Sequence, residues 1–489
     1  VRHVPTDYPQ VRRLTDAAAL RARLADLGTE LPAAGGGGGV PTALGEPLQL
    51  RCGRLHNRWA VLPMEGWDGT ADGRPTDLVR RRWERFGRSG AALVWGGEAV
   101  AVAPEGRANP NQLCIGPHSA GDLASLRQLL VDAHRRSTDG AEPVVGLQLT
   151  HSGRWSRPAG TPAPRTAYRH PLLDARVGAD ERSVLSDAEL DDLVAAMVRA
   201  ATVAAEAGYD FVDVKHCHGY LLHELLTARD RPGPYGGDLA GRTRFLTEAV
   251  RGIRAEAPGL GIGVRLSAFD LAPHRPGPDG IGEPEAAGSY PWAFGGDGTG
   301  SGVDLSETHD VCRRLTDLGV ELLCVTAGSP YYVPHVQRPA YFPPGDGYRP
   351  PRDPLVEVAR LCEVTRELTT AHPDLVVVGS GLTYLQEHLP AVAEGLVAEG
   401  WMHVAGLGRM MLSDPDLPAR VLRGEPLDRR LVCRTFSDCT TAPRNGLVSG
   451  CYPLDDFYRE RPERRELAAV KRRLRSPGAP AGTDEGAAP

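Results

Sequence analysis

The sequence predicts an α/β fold, a (β/α)8 TIM barrel with an N-terminal arm and a short C-terminal cysteine-containing extension. Three observations carry this. From residue 59 onward, eight short apolar runs of strand character follow one another. Between them lie runs with apolar residues three and four apart, such as LDDLVAAMVRAATVAAEAG, RFLTEAVRGIRAE and EVARLCEVTRELTTA, and that alternation is the mark of βα units around a parallel sheet. A doubly wound open sheet would show fewer repeats and a glycine-rich fingerprint after its first strand, whereas the first strand here ends in PMEG.

Residues 1–48 read as an arm: an amphipathic run, LTDAAALRARLADLG, then AAGGGGGVP, a flexible connection by composition. Residues 49–425 form the barrel. Its strands are WAVLPM (59–64), AALVWGG (91–97), PVVGLQL (143–149), DFVDVK (210–215), GIGVRL (261–266), ELLCVTA (321–327), LVVVGS (375–380) and MHVAGLG (402–408). The connections 150–185 and 267–303 are too long for plain βα loops, and loops of that length are expected to cover a site. Residues 426–460 carry three cysteines, and 461–489 read as a short charged helix followed by the disordered tail SPGAPAGTDEGAAP.

Composition narrows the function. The chain has 489 residues, 41% hydrophobic and 24% charged, with a net charge of -6 from 56 basic and 62 acidic residues. That balance gives a globular core and no footprint for a polyanion, so nucleic acid is not expected as a partner. No apolar stretch approaches the roughly 18 residues of a membrane span, and VRHVPTDYPQ has no apolar signal region, so a cytoplasmic protein is expected. The nine cysteines, several inside apolar runs, read as reduced core thiols rather than a disulfide framework. Lysine occurs only at positions 215 and 471.

In such a barrel the active site lies at the C-terminal ends of the strands. Those ends read Pro63-Met64-Glu65, Gly96-Gly97-Glu98, Gln148 with His151, Lys215 with His218 and Tyr220, Arg265, Ala327-Gly328, Gly379-Ser380-Gly381 and Gly406 through Arg409. Any one of them alone is an ordinary loop residue; eight polar or glycine-rich ends together point to a site. Glycines after strands seven and eight with Arg409 behind them suit a phosphate held by backbone N–H groups and a guanidinium. Arg265 needs an anionic or carbonyl partner, or a salt bridge to Glu98. Gln148 can both donate and accept, which suits a carbonyl-and-imide edge. Together these residues fit a flavin mononucleotide, FMN.

The chain resembles the old yellow enzyme family of FMN-dependent oxidoreductases, nearest to the branch containing 2,4-dienoyl-CoA reductase and trimethylamine dehydrogenase. The resemblance spans about residues 50 to 455. It rests on LPMEGWDG, GGEAVAVAPEGR, QLTHSGR, DFVDVKHCHGYLLHELL with PYGGDLAGRTRF, VRLS and GLGRMMLSDPDLP. It implies that the main chain near Pro63, Met64 and Gly97 lies along the flavin, that Gln148 binds the pyrimidine edge, and that Arg265 sits near N1 and O2. Gly381, Gly408 and Arg409 would hold the phosphate. The family's substrate-binding pair falls on Lys215 and His218, and its tyrosine proton donor on Tyr220.

Two departures stand out. Lys215 puts a full positive charge where the family often has imidazole, which makes a carboxylate, phenolate or enolate oxygen the expected anchor. The branch's four-cysteine motif for an iron–sulfur cluster is reduced to Cys433, Cys439 and Cys451, with Phe436 where the second thiolate would fall. A degenerate metal site is expected there, and a complete cluster is not. The branch's large members continue into nucleotide-binding domains, for which the residues after Cys451 leave no room, so NAD(P)H or a separate redox protein is expected to reduce the flavin.

The expected activity is hydride transfer between flavin N5 and an activated alkene of a small organic substrate, in an enzyme that is expected to be a homo-oligomer. Three alternatives stay open at this point: a flavin-dependent dehydrogenase oxidising a C–H or C–N bond, a flavin-free lyase or aldolase forming a Schiff base at Lys215, and a non-catalytic electron-transfer subunit.

Overall fold

The computed structural model describes residues 8–34, 40–286 and 288–475. The glycines of the arm's connection and the C-terminal tail from 476 lie outside the described residues. Eight parallel strands are present: β1 (Trp59–Val61), β2 (Leu93–Val94), β3 (Val144–Thr150), β4 (Phe211–Val214), β5 (Gly261–Ser267), β6 (Leu322–Thr326), β7 (Val376–Gly379) and β8 (Val404–Leu407). Each pairs with the next, β8 pairs with β1, and the sheet closes. β2 is shorter than the apolar run suggests because Gly96 and Gly97 take positive φ of 155° and 50°. The chain turns there, and Ala99–Ala101 resumes pairing with the far half of β3.

The helices that follow the strands are α1 (Asp77–Arg88), α2 (Ser119–Ser137), α3 (Asp187–Glu206), α4 (Arg244–Glu256), α5 (Ser306–Asp317), α6 (Pro354–Ala371), α7 (Leu389–Ala398) and α8 (Leu417–Leu422). Their starts are written in the sequence. Ser186 and Glu189 form a reciprocal capping box on α3, and Asp353 caps α6 just ahead of Pro354. One apolar layer lies between strands and helices. A second fills the barrel, where Trp95 meets Phe211 edge-on at 5.2 Å. Gly146 makes room for that pair, since a Cβ there would sit 2.2 Å from the Phe211 ring.

The hairpin of Leu48–Leu50 and Gly53–Leu55 packs into the inner layer and stops its N-terminal end. The arm's helix, Ala17–Asp26, is capped by Asp16, buries Leu20 and Leu24, and ties Arg23 to Asp353 at the start of α6. The two long connections meet each other, with His170 Nε2 2.8 Å from the Tyr290 hydroxyl and Arg176 paired to Glu285. The C-terminal helix Glu463–Arg475 is pinned by Lys471 to Asp438 in the cysteine-containing extension. Among the described residues no helix is long and apolar enough to cross a membrane.

Candidate active site

The C-terminal ends of the strands open into a cleft. At one end Gly381, after β7, and Gly408 and Arg409, after β8, form the wall. A Cβ at Gly408 would lie 3.1 Å from the Met64 sulfur, and Gly381 sits at φ 84° with Leu361 close behind it. Arg409 is buried, gives Nη2 to the Pro339 carbonyl, and among the described residues has no partner for Nη1. Beside it lies Arg338, also buried, with one nitrogen on the Thr440 hydroxyl and, among the described residues, no partner for Nε or Nη2. Burial, then Arg444 and Arg409, push Arg338 down to about 9. Two buried cations sharing a wall, with spare N–H groups and no carboxylate on either, call for an anion.

At another part of the cleft Gln148, Arg265, Pro63 and Met64 line the floor. Gln148 gives its amide N–H to Asp213 at 2.6 Å. The same carboxylate accepts from Trp95 Nε1 and from the Arg265 backbone N–H, both at 2.7 Å. The Gln148 carbonyl is therefore the atom left for a ligand N–H. Arg265 is buried, and its Nε has no partner among the described residues. It is not bridged to Glu98, which pairs with Arg82 instead. An anion site at one end and a carbonyl-and-imide reader with a cation at the other are what FMN requires, so the residues fit that cofactor. Gly97 is not on the lining. Its carbonyl accepts the Met64 N–H at 2.8 Å, and a Cβ there would strike Trp83, so it braces the wall from behind.

Lys215, His218 and Tyr220 also line the cleft, just past the strand flanked by those of Gln148 and Arg265. Lys215 is buried, and its ammonium donates to Glu65 at 3.0 Å and lies 4.0 Å from the centre of the Tyr220 ring. The Tyr220 hydroxyl donates to the other oxygen of Glu65 at 3.2 Å and lies 3.1 Å from the Tyr331 hydroxyl. Tyr331 is in turn stacked on Trp155 at 4.4 Å. Burial, with Glu65 and Tyr331 adding to it, raises Tyr220 well above the ordinary phenol range. His218 takes φ 68°, held by Ser267 on its N–H and Ser329 on its carbonyl. Burial, then Arg265 and Lys215, lower it well below the usual imidazole range, so it stays neutral.

The sequence placed Glu65 at a strand end without a role, and it had no signal for Arg338, Tyr331 or Trp155. Cys439, Thr440 and Arg444 of the extension also line the cleft. Burial pushes the thiols of Cys433, Cys439 and Cys451 up, and each of the first two adds to the shift at Cys451. Phe436 stacks on Phe342 at 5.3 Å. Among the described residues no group of three or more His, Cys, Asp or Glu side chains is arranged to hold a metal ion. As placed, Cys433, Cys439 and Cys451 do not form such a group.

Residues 43–280 match the NADH:flavin oxidoreductase / NADH oxidase family. An NADPH dehydrogenase of Geobacillus sp. (strain WCH70) is 27% identical over 391 residues, covering 78% of this chain and 93% of the relative. An NADPH dehydrogenase of Geobacillus thermodenitrificans (strain NG80-2) is 30% identical over 297 residues, covering 59% of this chain and 74% of the relative. Among solved structures, a 2-naphthoyl-CoA reductase in complex with 2-naphthoyl-CoA superposes with a TM-score of 0.62 at 17% identity. That alignment takes in 87% of this chain and 58% of the reductase, and it speaks for the fold.

Proposed function

The chain belongs to the NADH:flavin oxidoreductase / NADH oxidase family, the old yellow enzyme family, and from that premise we propose that it reduces an activated alkene of a small organic molecule. It is an FMN-dependent oxidoreductase that draws electrons from NAD(P)H. That replaces two alternatives considered from sequence, the flavin-free Schiff-base lyase and the non-catalytic subunit.

FMN, when bound, supplies hydride transfer between NAD(P)H and the substrate. Gly381, Gly408, Arg409 and Arg338 would hold its phosphate, Gln148 and Arg265 its pyrimidine edge, and the main chain at Pro63 and Met64 would lie along its ring. The rest falls to the chain's own groups. Neutral His218 and the Lys215 ammonium donate to the substrate's carbonyl oxygen and draw electrons from the conjugated carbons. Tyr220 gives its phenol proton to the carbon that must gain one.

The single observation that carries this reading is Tyr220, a phenol kept protonated by burial inside the cleft, beside two groups able to polarise a carbonyl. The reverse reaction, oxidation of a C–H or C–N bond, draws on a different observation: Glu65 sets a carboxylate 3.2 Å from the same phenol, where a proton could be received. One experiment separates them. FMN-loaded protein is supplied with NADPH and 2-cyclohexenone in the absence of oxygen, and separately with simple amines and secondary alcohols and an artificial electron acceptor. Formation of cyclohexanone supports alkene reduction; turnover of the amines or alcohols alone defeats it.

A further inference from the structure

We propose that Glu65 is a positioning residue that turns Lys215 from a lone cation into half of an ion pair, so that the site selects a neutral carbonyl compound over its carboxylate counterpart. This rests on the reading above and reverses the expectation raised by a lysine at position 215.

Glu65 bridges two of the groups assigned to the reaction, with one oxygen on the Lys215 ammonium and the other on the Tyr220 hydroxyl, at 3.0 and 3.2 Å. The lysine side chain is 3% exposed and the glutamate 18%, so little solvent screens the pair. A carboxylate substrate placed against Lys215 would meet the carboxylate already there, and like charges at that range repel. A ketone or aldehyde oxygen meets no such charge and can still accept from the ammonium's remaining hydrogens.

The loop bearing Glu65 is fixed from behind. The N–H of Gly66 donates to Glu98 at 2.8 Å, and Glu98 and Asp68 both hold the buried guanidinium of Arg82. A side chain at Gly66 would put its Cβ 2.1 Å from that guanidinium. Glu65 therefore cannot swing aside with its loop to release the lysine. The other cations on the lining do not offer a substitute anchor. Arg444 is paired to Asp346, while Arg265, Arg338 and Arg409 stand at the positions assigned to the cofactor.

The test compares trans-cinnamate with trans-cinnamamide, two ligands of one shape and different charge, by calorimetric titration of the FMN-loaded protein. The wild type should bind the amide more tightly by on the order of tenfold. Glu65→Gln should reverse that preference, Glu65→Asp should keep it, and Glu65→Gln combined with Lys215→Met should lose the gain in cinnamate binding. FMN content and melting temperature report whether each variant is folded. Should Glu65→Gln not fold, Glu65→Ala decides, because it too removes the carboxylate and should shift the preference toward cinnamate. A wild type that prefers cinnamate, or a folded Glu65→Gln protein with unchanged preference, overturns the proposal. Predicted charge selection without turnover of 2-cyclohexenone would leave the pairing standing and remove the alkene-reduction reading instead.

Discussion

Gln148 gives its side-chain N–H to Asp213 at 2.6 Å, and this fixes which end of its amide faces the cleft. Asp213 has three donors on two oxygens, so no neutral residue of its size can replace it. Asp213→Asn should weaken FMN binding by about tenfold to a hundredfold, the scale of one misdirected buried hydrogen bond of about 1–3 kcal/mol. Fluorescence titration of apoprotein with FMN measures it. Equal affinity in wild type and variant would mean that Gln148 does not read the flavin.

Arg338 and Arg409 are assigned to the same phosphate. Each change to alanine should lower FMN affinity, by roughly ten- to a hundredfold for a charge-assisted hydrogen bond of about 1.5–3 kcal/mol. Riboflavin, which lacks the phosphate, should bind the variants as it binds the wild type. A parallel loss for riboflavin would move both arginines away from the phosphate.

Tyr220→Phe removes the proposed proton donor without removing the ring over which Lys215 sits. Oxidation of the reduced protein by 2-cyclohexenone should slow by about 10²- to 10⁴-fold. Reduction by NADPH should keep its rate. If both steps slow together, the tyrosine is supporting the fold of the cleft rather than supplying a proton.

Asp270 offers a pH test of the scaffold behind the site. Burial raises it to about 7, against the opposing pull of the Tyr332 hydroxyl and the Leu271 N–H. Its folded-state value lies above its unfolded one, so folding takes up a proton. The stability it contributes is complete below 3.8 and is lost as pH rises toward about 7. Asp270→Asn should flatten the decline of melting temperature across that window. An unchanged slope would assign the decline to other groups.

The barrel was legible because its evidence is local: apolar runs of strand length, helical spacing between them, and polar or glycine-rich strand ends. The site was legible in part for the same reason, since Lys215, Tyr220, Arg265 and Arg409 all stand at or just past a strand. Glu65 stands there too, but its partner lies 150 residues further on, and nothing local announces that the two carry opposite charges to one point. Arg338 sits in the proline-rich loop after β6, where spacing says nothing; only its burial and unpartnered N–H groups reveal it. Gly97, expected along the flavin for its main chain, is also required as glycine by packing, through its positive φ and the close approach of Trp83.

The most direct measurement is a single turnover. Protein loaded with FMN is reduced by one equivalent of NADPH without oxygen, then mixed rapidly with 2-cyclohexenone while the visible flavin absorbance is followed. The account predicts that the oxidised flavin spectrum returns at a rate set by enone concentration, with one cyclohexanone formed per flavin. A reduced flavin that persists in the presence of the enone and is reoxidised only when oxygen is admitted would contradict it.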